Sequence, residues 1–98
     1  MPNPADRQTN RITLYGLQNC ANCTDARKRI EESGMAFDMV YVDMLFGEER
    51  NHTMRYIRRI NPDVSFPTLV AGEKVVVGFK PAEIDAALAE LTNRTPPA

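Results

Sequence analysis

The chain has 98 residues, 43% hydrophobic and 26% charged, the balance of one small globular domain and not of a disordered chain. Twelve Lys and Arg against thirteen Asp and Glu leave a net charge of −1, so no global field draws in nucleic acid or anionic lipid, and no apolar run approaches the roughly 18–20 residues that span a bilayer. Two cysteines and one histidine exclude a complete structural zinc site, which takes about four ligands, and a disulfide-stapled secreted scaffold.

Residues 1–10 are polar, carry Pro2 and Pro4, and lack the basic start and apolar stretch of a signal peptide. They are expected to be a disordered tail on a cytoplasmic protein. Arg11-Ile12-Thr13-Leu14-Tyr15 alternates in polarity and reads as a first strand. From Ala21 to Ser33 the spacing predicts a helix with Cys23, Ala26 and Ile30 on one face, stopped at Gly34, which can take the left-handed conformation. Ala36 to Val42 is expected to be a second, largely buried strand, parallel to the first because a helix connects them.

A second helix begins near Gly47-Glu48-Glu49, two acids answering the positive end of the helix dipole, and closes at Asn61-Pro62. Thr68-Leu69-Val70 and Val75-Val76-Val77, separated by Ala71-Gly72-Glu73-Lys74, predict an antiparallel hairpin. Pro81 opens a last helix with Ile84, Ala87, Leu88 and Leu91 at i, i+3, i+4 and i+7. The order β-α-β-α-β-β-α packs as a four-stranded mixed sheet with helices on both faces, an α/β class arrangement that is a minimal thioredoxin fold. The folded part is expected over 11–91, with 92–98 a flexible tail containing Pro96-Pro97.

Cys20-Ala21-Asn22-Cys23 follows a strand and opens a helix, the setting in which two cysteines at this spacing read as a redox pair. Free N–H groups and the positive helix pole favour a thiolate at the first position, where cysteines can have pKa values of about 3.5–7.5. Cys23, nearly one turn on, is close enough to form a disulfide with Cys20 and release a bound substrate. Half of an intermolecular zinc site and two inert cysteines are the competing readings. Ser65-Phe66-Pro67-Thr68 precedes the third strand, which in this fold runs beside the cysteine turn. A cis Pro67 there would leave the Phe66 backbone free to pair with an extended substrate as a short added strand.

Tyr15-Gly16-Leu17-Gln18-Asn19-Cys20-Ala21-Asn22-Cys23, Phe66-Pro67-Thr68-Leu69-Val70 and Val76-Val77-Gly78-Phe79 together resemble the glutaredoxin family, over nearly all of Arg11 to Leu91. The resemblance implies a thiol–disulfide oxidoreductase acting on protein or small-molecule disulfides. Cys20 would be its nucleophile, Cys23 its resolving thiol, and Pro67 cis. Phe66, Pro67, Gly78, Phe79 and Tyr15 are the candidate substrate-binding residues, with plain packing the alternative for Tyr15 and Phe79.

Gly78-Phe79-Lys80-Pro81 resembles the Gly-Phe-Arg-Pro segment of NrdH-type redoxins, which draw electrons from thioredoxin reductase. Glutathione-using glutaredoxins commonly carry Cys-Pro-Tyr-Cys after a basic residue. Here the centre is Ala21-Asn22 and no Lys or Arg lies between Tyr15 and Cys20. Glutathione and thioredoxin reductase both remain candidate donors, with no tightly bound cofactor, metal, nucleic acid or membrane expected and the monomer as the working form. Two alternatives stay open. Tyr15 to Cys20 with Ala26-Arg27-Lys28 also resembles arsenate-reductase-like and Spx-like proteins, although Phe66 stands where those have Arg. A non-enzymatic iron–sulfur carrier would use Cys20 and glutathione in a dimer.

Other residues carry blander expectations. His52 is read as a surface residue. Arg55, Arg58 and Arg59, with Arg27, Lys28 and Arg29, are read as solvated helix faces paired with Glu31, Glu32, Glu48 and Glu49, the alternative being a partner-docking surface. Met35, Met39, Met44 and Met54 are expected to fill gaps in the core.

Overall fold

The computed structural model describes residues 11–94; the expected tail over 1–10 and the end of the chain over 95–98 lie outside them. In chain order the elements are β1 (Ile12–Gly16), α1 (Ala21–Glu32), β2 (Asp38–Tyr41), a 3-10 turn (Val42–Met44), α2 (Gly47–Ile60), β3 (Thr68–Ala71), β4 (Lys74–Val77) and α3 (Pro81–Arg94). The last helix thus continues three residues past Leu91. The strands form one mixed sheet in the order β2-β1-β3-β4, β1 parallel to β2 and antiparallel to β3, which in turn is antiparallel to β4. This is the minimal thioredoxin fold expected from the order of elements.

Side-chain alternation sends Ile12 and Leu14 of β1 to the same face as Ala71 and Leu69, their partners in β3, and Val76 of β4. On that face Ala26 and Ile30 of α1 and Ile84, Ala87, Leu88 and Leu91 of α3 complete the core. Leu14 and Ile30 are wholly buried, and each such side chain contributes about 1.5–3 kcal/mol through area removed from water. Tyr15 and Thr68 point to the opposite face. There the Tyr15 ring meets that of Tyr56, with centroids 6.1 Å apart, so α2 covers the other side of the sheet.

One helix stop and one hairpin turn obey the local chemistry. Gly34 takes φ +77° just past α1, and its N–H donates to the Glu31 carbonyl at 3.1 Å. Gly72 takes φ +61° in the tight turn between β3 and β4.

The expectation of a largely buried second strand over 36–42 is corrected. β2 is shorter and lies at the sheet edge, with Asp38 exposed and Met39, Val40 and Tyr41 only half-buried. A strand with one neighbour has one open flank. On its paired side Arg11, just ahead of β1, donates from Nε to Asp38 Oδ2 at 2.8 Å, and Asp38 itself puts an exposed charge on the edge strand. Val42, the buried end of that apolar run, belongs to the 3-10 turn. Met44 is also corrected: it is 58% exposed, whereas Met35 and Met39 do pack on the core. Among the described residues no helix is long and apolar enough to cross a membrane.

Candidate active site

β1 delivers the chain to the redox pair. Cys20 is the residue that caps α1, with extended backbone (φ −134°, ψ 110°). Its Sγ accepts the Cys23 backbone N–H at 3.2 Å, taking the place that a Ser or Asp oxygen usually fills at a helix start. Its carbonyl accepts the Thr24 N–H at 3.0 Å and the Thr24 hydroxyl at 3.1 Å. Both cysteines are free thiols; Cys20 is half-exposed and Cys23 is buried.

The two sulfurs therefore have different chemistry. Burial above all pushes the Cys23 thiol up from 9.0 to about 11. The hydrogen bond with Cys20 and the charges of Cys20 and Asp43 add to this, against the opposing Leu17 backbone contact. Cys23 is thus a protonated, enclosed thiol at neutral pH, and Cys20 the one that an external disulfide can reach.

Gly16 makes this enclosure fit. A Cβ there would lie 3.1 Å from both Cβ and Sγ of Cys23 and 3.0 Å from Cε of Met39, closer than ordinary side-chain contacts. The end of β1 and the start of α1 approach because that residue has no side chain. Asp43 fixes the intervening loop from the other side: Oδ2 accepts the Gln18 N–H at 3.1 Å, two residues before Cys20.

The segment before β3 forms the second wall. The Phe66–Pro67 peptide is cis. The loop is held by Asn61, whose Nδ2 donates to the Ser65 carbonyl at 2.9 Å and to Thr68 Oγ1 at 3.1 Å. The Thr68 hydroxyl in turn donates to the Ser65 carbonyl at 2.7 Å. Asn61 and Thr68 are the buried polar residues among those described, and each is paired, as burial requires. Gly78, at φ +86°, donates its N–H to the Pro67 carbonyl at 2.8 Å. Among the described residues the Phe66 backbone has no hydrogen-bond partner.

Of the residues singled out from sequence, Cys20 and Cys23 are in direct contact, and Pro67 and Gly78 are joined by a backbone hydrogen bond. Tyr15 sits at the cysteine end of β1 opposite Thr68 and against Tyr56. Burial and Tyr56 raise its pKa above 10.0. Phe79 packs against the core cluster. Sequence reasoning missed Gly16, Asp43 and Asn61 as parts of the site. Gly16 left a usable signal, a glycine closing a strand just ahead of a cysteine pair; Asp43 and Asn61 left none.

Comparison with known proteins agrees with this geometry. The family profile described as Glutaredoxin matches residues 12–76. The glutaredoxin-like protein NrdH of Salmonella typhimurium is 28% identical over 74 residues, covering 76% of this chain and 84% of its own. The crystal structure of a glutaredoxin from Methanosarcina mazei Go1 superposes with a TM-score of 0.77 at 42% identity, covering 82% of this chain and 79% of that one. The NrdH-redoxin of Escherichia coli, whose structure is described as the basis of a thioredoxin-like activity profile, gives 0.63 at 27% identity, over 90% and 97% of the two chains. With the fold, the capped cysteine pair and these likenesses together, the chain belongs to the glutaredoxin family and carries NrdH-redoxin-like features.

Proposed function

We propose that this protein is a dithiol oxidoreductase that reduces disulfides of proteins and small molecules through Cys20 and Cys23. One observation carries the reading: the half-exposed Cys20 sulfur accepts a helix N–H, while its partner, one turn on, is buried and kept protonated. The Cys20 thiolate attacks one sulfur of the substrate disulfide, forming a mixed disulfide and expelling the other sulfur as a thiolate. The Cys20 charge is then gone, and with it one cause of the raised Cys23 pKa. Cys23 loses its proton, attacks the Cys20 sulfur and expels the second substrate thiolate. Two electrons have passed to the substrate, whose two thiolates take up one proton equivalent to that lost by Cys23 and one from water, and the protein is left as a Cys20–Cys23 disulfide. The unpartnered Phe66 backbone beside cis Pro67 supports pairing with an extended substrate strand.

Thioredoxin reductase is the electron donor in this reading, and glutathione is the alternative. The Gly78-Phe79-Lys80-Pro81 segment, the lack of a cation between Tyr15 and Cys20, and the likeness to NrdH proteins support it. A cytoplasmic monomer without a bound cofactor suits such a role. Turnover is measured as NADPH oxidation with thioredoxin reductase and, separately, with glutathione and its reductase. Turnover is expected with the first system and abolished by Cys20→Ser. Cys23→Ser should trap a mixed disulfide with substrate. A Cys20→Ser variant that still turns over refutes the mechanism, and faster turnover with glutathione reverses the choice of donor. A reduction potential near about −270 mV rather than about −200 to −230 mV would match the thioredoxin-like side.

A further inference from the structure

The arginines of the two basic helices meet different fates. On α1, Arg27 lies 3.9 Å from Glu31 and donates to the Tyr41 hydroxyl at 2.8 Å, and Arg29 donates from Nε to Asp85 of α3 at 2.9 Å. On α2, Arg50, Arg55, Arg58 and Arg59 are exposed and form no ion pair among the described residues. The expected pairing with helix glutamates thus holds at Arg27, is replaced by Asp85 at Arg29, and fails for the arginines of α2.

Arg50, Met54 and Arg58 fall at i, i+4 and i+8, one row on the surface of α2, and Phe46 is the extended residue just before its first turn. Arg50, Asn51, Met54, Arg55 and Arg58 line a recess of about 370 Å³. Phe46, at the mouth of the helix, is 83% exposed, more than an aromatic ring without a partner usually is. Both ends of α2 reach the cysteine end of the sheet. The 3-10 turn leading into it grips Gln18 through Asp43, and Asn61 at its close grips Thr68, opposite Tyr15.

We propose that this face of α2 docks an acidic segment of the protein substrate, its carboxylates on Arg50, Arg55 and Arg58 and an apolar side chain against Met54 and Phe46. Docking there holds the substrate disulfide within reach of Cys20, so the proposal rests on the disulfide-reductase reading. Charge complementarity selects the sign of the partner. Size selects a polypeptide: Arg50 and Arg58 are eight residues apart, about 12 Å along the axis. A single small anion cannot bridge them, whereas about four extended residues do. Met54 and Phe46 have no use for an inorganic ion.

The test uses two synthetic peptides with the same disulfide-closed loop, one flanked by alternating Glu and Leu and the other by Lys and Leu. Single-turnover reduction by the fully reduced protein, without a recycling reductant, is followed by stopped flow. The acidic peptide should react at least tenfold faster at low ionic strength, with the ratio falling toward one in 0.5 M salt, about where screening shortens to a few ångströms. Arg50→Glu/Arg55→Glu/Arg58→Glu should reverse the preference. Arg55→Gln/Arg58→Gln, a milder change if the first variant loses helicity, should narrow it. Equal rates for the two peptides, or a ratio indifferent to both variants, overturns the proposal. Millimolar inorganic phosphate abolishing the preference, where equal ionic strength of chloride does not, assigns a small-anion site and also overturns it. If neither peptide is reduced, the redox reading fails. Docking is then decided by amide shifts in Cys20→Ser protein titrated with acidic peptide: shifts along 46–58 support it, and their absence refutes it.

Discussion

At neutral pH a small electrophile should find two very different thiols in this chain. Cys23 is held at about 11 where an ordinary thiol sits at 9.0, and two units are about a hundredfold in thiolate fraction, or about 2.7 kcal/mol. Its side chain is only 1% exposed, which slows it further. Cys20 is open to reagent: it is half-exposed, and its sulfur accepts the Cys23 N–H. Limited iodoacetamide treatment at pH 7.5, followed by trypsin and fragment mass spectrometry, reads both sites within one peptide, Ile12 to Arg27. Early product should carry the label on Cys20, with label on Cys23 at least a hundredfold rarer. In Cys20→Ser protein, Cys23 should remain slow because burial is the largest cause of its shift, and its rate should climb with pH without a plateau below about pH 10. Labelling of Cys23 within tenfold of free cysteine would refute the division of labour between the two sulfurs.

Three further expectations follow from the same geometry. Gly16→Ala places a Cβ against Met39 and Cys23; overpacking of this kind costs about 1–3 kcal/mol, about 4–8 °C of Tm per kcal/mol in a domain of this size by calorimetry, and an unchanged Tm would mean the strand end yields freely. Because Cys23 binds its proton more tightly folded than unfolded, its contribution is full below pH 9 and lost as pH rises toward about 11. Urea titrations of reduced protein between pH 8 and 11 should show a steeper loss of stability for wild type than for Cys23→Ala. Asn61→Ala removes the donor that ties Ser65 to Thr68 and should cost about 1–3 kcal/mol in the same assay; a smaller loss would show that the loop before Pro67 is held by other means.

Much of the architecture was legible because the governing signals are local. Alternation in Arg11 to Tyr15, the Ile84, Ala87, Leu88 and Leu91 spacing, and stops at Gly34 and Asn61-Pro62 each act within one or two turns of chain. Cys20 and Cys23 were legible because strand, cysteine pair and helix follow one another directly. What escaped depends on neighbours distant in sequence. An apolar run such as Met39 to Val42 reads the same whether its strand ends up central or at an edge, and only the strand order decides. Asp43 is an ordinary acid until folding brings Gln18, 25 residues away, to its carboxylate. The arginines of α2 looked like those of α1, and their lack of partners follows from which acids the packing of α3 brings near, Asp85 to Arg29 and none to Arg58.

The sulfur cap at the start of α1 also ties oxidation state to helix order. When the Cys20 thiolate of the proposed mechanism bonds to Cys23, the acceptor that served the Cys23 N–H becomes a neutral disulfide sulfur, a poorer one. A cap supplied by oxygen is worth about 0.5–2 kcal/mol, and 1.4 kcal/mol corresponds to about 30 mV for a two-electron couple. One backbone N–H at the mouth of a helix is thereby a lever on the midpoint potential, drawing the equilibrium toward the dithiol and leaving the first turn of the oxidised chain looser than that of the reduced one.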